Sequence, residues 1–276
     1  MTKKVLFALL LGTIIVIITI FMKQQPAEKI TMGEYTAMPQ IDVTLDVLSI
    51  AINNSPDDKI HVHLQGHKLK KDLLTITEEN NRLFITEKKR KTNWLENIRF
   101  RSAPTIIVQL PKSQNNALTL NTENGDATIQ DLPLDTVQLN TSTGNVNLNN
   151  TAILHAELRT KDGTVTITKS AIDNLSITTS AGDVAIKEST GLTHTIETTD
   201  GQIKMTEATE QPNIHVKSTS GDINIHYKKT PTSLQLMMTS EDTKITLPKY
   251  DKKTHTIGDG ANILSAETKY GFIVIE

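Results

Sequence analysis

Between Leu118 and Ile225 the chain repeats one short pattern six times, and this repeat limits the possible folds more than any other feature of it. Its punctuation is Gly125, Gly144, Gly163, Gly182, Gly201 and Gly221, at steps of 19, 19, 19, 19 and 20 residues. Apolar residues stand seven and five before most of these glycines and two and four after them. Val137/Leu139 with Val146/Leu148 is one example, and Leu175/Ile177 with Val184/Ile186 is another. Alternation of period 2 puts each pair on one face of a strand. A single unit cannot bury its own apolar face, whereas stacked units share one core and pair their backbones. A fixed period near 20 therefore predicts a β-solenoid. Aromatic residues make up only 4% of the chain, so the core must be built from Val, Ile and Leu.

Polar positions inside the repeat are as regular as the apolar ones. Three before each glycine stand Thr122, Thr141, Thr160, Thr179, Thr198 and Ser218. By parity these hydroxyls point inward, where they are expected to bond free backbone groups of the turn. The glycines are expected to supply a backbone angle that other residues reach only at a cost. Directly after them come Asp126, Asn145, Thr164, Asp183, Gln202 and Asp222, so no two neighbouring coils both place Asp there. That arrangement fits in-register stacking without facing like charges, and it argues against a calcium ladder, which needs clustered acids.

Outside the repeat the pattern loosens. Residues 40–115 show alternation from Ile41 onward without the 19-residue period. They are expected to form irregular first coils that cap the open edge of the 116–230 stack. In 231–276, Leu236, Met238, Ile245 and Leu247 fit the template with Thr243 in the glycine place, and a better copy ends the chain around Gly271. In that last copy Tyr270, Phe272 and Val274 fall outward, where earlier coils are polar. Either the 248–262 segment covers this face, or it meets a partner or a second copy of the chain.

The first 22 residues have a different character. Val5 to Met22 is a run without charge. As a helix its 18 residues reach about 27 Å, close to the hydrocarbon thickness of a bilayer. No small-residue cleavage site follows, so 1–22 reads as an uncleaved transmembrane signal-anchor and 23–39 as a linker. Lys3 and Lys4 at the front leave the N-terminus cytoplasmic and the 40–276 body outside the cell membrane. The absence of cysteine excludes disulfides, thiolate catalysis and Cys metal sites. A net charge of −2 gives no pull toward nucleic acid.

The unit Thr-x-x-Gly-Asp/Asn-apolar-x-apolar, preceded by Ile106–Pro111, resembles a bacterial adhesin family with β-strand repeats. The resemblance covers roughly residues 40 to 276. It implies an all-β fold, a single-stranded right-handed parallel β-helix with coils of about 19–22 residues, outside the membrane behind its N-terminal helix. It implies no catalytic residues and no cofactor. Members with this layout are encoded beside envelope-stress signalling systems.

Candidate chemistry is sparse. Asp162, Asp183 and Asp200 lie near one edge of adjacent coils, but all hold ordinary turn positions, and no Phe, Tyr or Trp lies between Leu118 and Ile225 to form a sugar platform. His61 and His63 share one strand face with His67 close by, without an acid placed to complete a metal site, and they are expected to face solvent. Lys88, Lys89, Arg90 and Lys91, followed by Trp94, Arg99, Phe100 and Arg101, form the concentrated basic and aromatic stretch. It suits an anionic lipid surface or an anionic envelope polymer; the plainer expectation is a solvated hairpin. The favoured function is a non-catalytic module binding an envelope polymer, a lipid surface or a membrane protein. The alternative is a polysaccharide-active β-helix enzyme, which requires an acid and a base facing each other in a groove.

Overall fold

The computed structural model describes residues 27–67, 69–88, 104–112 and 116–276. Among these the protein is all-β; the one helical element is the single turn Lys71–Leu73. The N-terminal part comprises β1 (Glu28–Thr36), β2 (Gln40–Leu45), β3 (Ser49–Asn54), β4 (Lys59–Gly66), β5 (Leu74–Glu79), β6 (Arg82–Glu87) and β7 (Thr105–Leu110). The repeats give β8 (Ala117–Thr122), β9 (Ala127–Gln130), β10 (Pro133–Thr141), β11 (Val146–Asn149), β12 (Ala152–Thr160) and β13 (Val165–Thr168). They continue with β14 (Ala171–Thr179), β15 (Val184–Lys187), β16 (Thr193–Thr198), β17 (Ile203–Ala208), β18 (Asn213–Ser218) and β19 (Ile223–Tyr227). Last come β20 (Leu234–Thr239), β21 (Asp242–Ile245), β22 (Thr256–Ile257), β23 (Asn262–Thr268) and β24 (Phe272–Ile275).

These strands form two 12-stranded sheets, mostly parallel, in the orders β1-β4-β7-β3-β9-β11-β13-β15-β17-β19-β24-β21 and β22-β20-β23-β18-β16-β14-β12-β10-β8-β2-β6-β5. Each coil gives one strand to each sheet, so the molecule is a two-sheet, solenoid-like stack. Successive repeats pair in strict register, for example Val137↔Ala156↔Leu175 and Val146↔Val165↔Val184. The paired aliphatics are buried between the sheets. A further inward column, Leu134, Ile153 and Ile172, has the same period and is buried as well.

The hydroxyl positions behave as their parity requires: the Gly N–H donates to the Thr or Ser Oγ three residues earlier at 2.8–3.2 Å in all six repeats. The glycines have a different reason from the expected one. None of the six has a positive φ. From Gly144 to Gly221, a Cβ would lie 1.9–2.0 Å from the carbonyl oxygen of the glycine one coil earlier. Close approach of coils, not backbone angle, demands glycine here. The left-handed residues sit at the other turn: Asp131, Asn150, Lys169, Glu188 and Glu207, with φ of 50–56°.

Both ends depart from sequence order. At the start, the β2/β3 coil lies between β8/β9 and the outer β6/β7 coil. At the finish, β23/β24 docks on β18/β19, and the earlier β20/β21 coil takes the outside. The final coil therefore does not leave an open edge. Its Thr268 Oγ1 donates to Gly221 O at 2.9 Å and its Gly271 fits against Gly221, a fit that 234–245 lacks the residues to make. Thr243 pairs with Ile273 and so occupies a strand position, not the glycine place; the turn before it is shorter. The outermost strand β21 (Asp-Thr-Lys-Ile) is short and polar, which blunts edge pairing. The 23–39 stretch, expected as linker, contains β1, which pairs antiparallel with β4 and covers the other end of its sheet. The expected anchor, 1–22, lies outside the described residues.

Candidate functional site

Three regions draw attention. The first is the corner where the chain enters the stack. Glu28 at the head of β1 pairs with Gly66, and β4 then pairs with β7 through Gln65↔Thr105. The basic stretch leaves β6 after Glu87 and returns at Pro104. Lys88, exposed, donates its N–H to Leu73 O at 2.9 Å. Lys89, Arg90, Lys91, Trp94, Arg99, Phe100 and Arg101 lie outside the described residues. The entry of the body and the return of the basic stretch are thus two strand spacings apart, about 10 Å.

The same end holds the histidines, and there the solvent-facing expectation fails for His61. Its neighbour strand β1 covers it to 9% exposure. His61 Nε2 donates to Asp57 Oδ1 at 2.8 Å, and its Nδ1 lies 3.7 Å from Glu34 Oε1. This hydrogen bond holds the Asp57 carboxyl below its usual range. The His63 ring stacks on His61 at 6.3 Å, and partial burial, with Lys29 nearby, holds its pKa down. The pair ties β1 to β4. Among the described residues no group of three His, Asp or Glu is placed to hold a metal ion.

At the opposite end, Tyr270 and Phe272 are 69% and 56% exposed, so the 248–262 segment does not cover them. Lys269 Nζ lies 4.9 Å from the Tyr270 ring centroid, and Phe272 N donates to Asp222 Oδ1 at 2.9 Å. Eight coil spacings, about 38 Å, separate this patch from the outer β6/β7 coil. Lys88, the described residue of the basic stretch, therefore lies far from Tyr270 and Phe272.

The third region was not anticipated. A shallow trough of about 440 Å³ runs along the β10-β12-β14-β16 face between two outward columns of polar side chains. Its columns were visible in the sequence as outward positions of the repeat, but nothing local distinguishes them from ordinary solvated positions.

Two carboxylates that hold the ends together were also missed. Glu87, buried, accepts through Oε2 from the N–H groups of Asp46, Val47 and Leu48 at 2.8–3.1 Å. Glu210 accepts from Thr232 N, Ser233 N and Asn262 Nδ2 at 2.7–3.0 Å. Burial opposes ionisation of Glu210, but these bonds outweigh it and keep its pKa low. Glu87 had a signal: it continues the inward parity of Leu83 and Ile85.

A family model, Toastrack DUF4097, matches residues 38–274. The chain belongs to the Toastrack DUF4097 family. The match begins just before β2 and leaves β1 outside. No curated protein matches the chain. Among solved structures, a putative lipid binding protein from Parabacteroides distasonis is similar over 92% of this chain and 98% of its own, at 16% identity and TM-score 0.58. A putative adhesin from Parabacteroides merdae is similar over 91% of this chain and 95% of its own, at 14% identity and TM-score 0.51. At such identities the likeness is one of fold. Among the described residues no helix is long and apolar enough to cross a membrane.

Proposed function

We propose that this Toastrack protein is a non-catalytic binding module of the bacterial cell envelope. Residues 5–22 anchor it in the cell membrane with the N-terminus cytoplasmic, and the body, its coils wound right-handed as parallel crossovers prefer, stands outside. The basic and aromatic stretch from Lys88 to Arg101 then rests on anionic lipid head groups of the same membrane. The observation behind this reading is the entry corner: Glu28, which leads back to the anchor, and Pro104, which ends the basic stretch, flank the same strand. A lipid-binding description of one similarly folded protein and an adhesin description of another agree with it.

Trp94 is the only tryptophan of the chain, so its fluorescence reports on the stretch directly. In nanodiscs of phosphatidylglycerol the full chain should show bluer Trp94 emission than in phosphatidylcholine. The difference should shrink as salt shortens the screening length below about 8 Å, and it should vanish when Lys88, Lys89, Arg90 and Lys91 become Gln. Identical emission in both lipids would show that the stretch is a solvated loop. At the far end, Tyr270 and Phe272 are assigned a contact with a partner protein or a second copy. Replacing both with Ser should abolish association without changing the melting temperature.

A further inference from the structure

We infer that β1 is a releasable strap: it peels from β4 while the rest of the body stays folded, and so sets how far the anchored body stands from the membrane. The strap deepens the envelope-binding reading and depends on its N-terminal anchor. The family match begins at residue 38, directly after β1. Met38, 4% exposed, is also the first buried side chain among the described residues. β1 therefore lies between the anchor and the body without belonging to the core of either.

Its hold on the body is weak for its length. β1 has nine residues and buries none, whereas the equally long β10, β12 and β14 bury four each. Met32 falls in a bulge between Thr31 and Gly33, which breaks the ladder with β4. The Tyr35 ring folds back over its own strand, where a Cβ on Gly33 would lie 2.4 Å from its hydroxyl oxygen. The side-chain ties are exposed or one-sided. Lys59 Nζ lies 3.6 Å from Glu34 Oε2 with both side chains more than half exposed, and solvent leaves such a pair little to contribute. His63 Nδ1, on the residue opposite Thr31, is buried without a partner among the described residues, and departure of β1 returns it to water.

What β1 leaves behind is self-sufficient. β4 stays paired with β7 at five positions. His61 loses Glu34 at 3.7 Å but keeps the nearer Asp57 at 2.8 Å, which belongs to the turn before β4. The topology also gives release a direction. Glu28, at the anchor end, pairs with Gly66, and β1 is the last strand of its sheet. A pull from the membrane across the sheet thus loads the Glu28 end first and opens the ladder pair by pair. Peeling stops at Met38, because β2 is held between β6 and β8 and buries Ile41, Val43 and Leu45. The nine freed residues lengthen the tether by up to about 30 Å.

The test is hydrogen exchange of the full chain in phosphatidylcholine nanodiscs, with two variants. Met32→Ser with Tyr35→Ser loosens the strap. Lys29→Cys with Gln65→Cys locks it, since these residues face each other in the ladder and the chain has no other cysteine. We expect the amides of 28–36 to exchange about a hundredfold faster than those of β10 and β12, through a local opening. Loosening should speed them about tenfold more without moving the melting temperature of the body, and the oxidised lock should slow them about tenfold. Energy transfer from a dye on Lys161→Cys to acceptor lipids should fall when the strap is loosened. Exchange of 28–36 in step with β10, a loosened chain that melts earlier, a lock that joins two chains, or unchanged energy transfer would each overturn the proposal. The anchor is judged separately. A chain that stays out of nanodiscs removes the anchor and the change of reach with it, while exchange of the same chain in solution still decides whether β1 peels alone.

Discussion

In the middle of the stack each coil closes its own first turn: the Thr hydroxyl accepts from the Gly N–H three residues on, as Thr160 does for Gly163 at 3.0 Å. At each end a distant carboxylate closes a connection, although Ser240 Oγ still accepts from Asp242 N–H at 3.1 Å in the outer C-terminal coil. Leu45 occupies the hydroxyl position of the β2/β3 coil, and the N–H groups after it are taken by Glu87 of the outer coil, 39 to 41 residues away. Glu210 does the same for the connection at 232–233 that carries the chain past β23 to the outside. Local closure repeats, so the middle is periodic in sequence. Closure by a distant carboxylate does not repeat, and it lets a coil sit out of order. A consequence is that the family-matched body begins and ends in coils paired on both sides.

The contrast makes unequal predictions. Glu87→Ala leaves three N–H groups near the core without an acceptor and should cost about 3 kcal/mol. Glu210→Ala, at a half-exposed site, should cost about 2 kcal/mol. Thr160→Val in the middle removes one neutral bond and should cost about 1 kcal/mol. Urea unfolding of the three variants gives the order. Equal losses would mean that the end carboxylates are no more than another form of turn bond.

How much was legible follows from the same distinction. The register of Val137, Ala156 and Leu175 and the inward hydroxyls could be read from period and parity alone, because each depends on residues within one repeat. The coil order at both ends could not. Nothing near Leu234 or Leu264 says which copy docks on Gly221; only the comparison of Thr268–Gly271 with Ser240–Thr243 hints at it. His61 was read as solvated because β1, which covers it, carries only a faint alternation. For the basic stretch, sequence supplied the residue types, and sheet order supplied the neighbourhood of its return strand.

The middle also contains one break, and pH should expose it. In the column Val137, Ala156, Leu175 the next member is His194, 1% exposed, with Nε2 3.1 Å from Ile172 O. The column of Leu134, Ile153 and Ile172 continues at Gly191, where a Cβ would meet that imidazole at 2.4 Å. The small residue makes room for the ring. Burial holds the His194 pKa below its ordinary value, so the unfolded chain binds the proton more readily. The stability is fully present above about pH 6.5 and fades as pH falls below it. His194→Leu should flatten the change in melting temperature between pH 7.5 and 5.5. An unchanged slope would place the acid sensitivity in the end carboxylates or the His61–Asp57 pair.

The smallest expected effect is a gain. The second turn of each middle coil passes through a left-handed residue, and at Lys169 (φ 50°) that residue is neither Gly, Asn nor Asp. The left-handed region crowds the Cβ against the following carbonyl, at about 1–2 kcal/mol for most residues, and Asn tolerates it better. Asn150 one coil earlier shows the tolerated case, donating Nδ2 to Asp131 Oδ1 at 2.7 Å. Unlike Glu188 and Glu207, which pair with Lys187, Lys169 has no ion pair among the described residues. Lys169→Asn should therefore stabilise the protein by about 0.5 kcal/mol, seen as a small rise in melting temperature. The same exchange at Lys161, in the first turn where no residue is left-handed, should give nothing. A gain at both positions, or at neither, would remove the left-handed column as the reason.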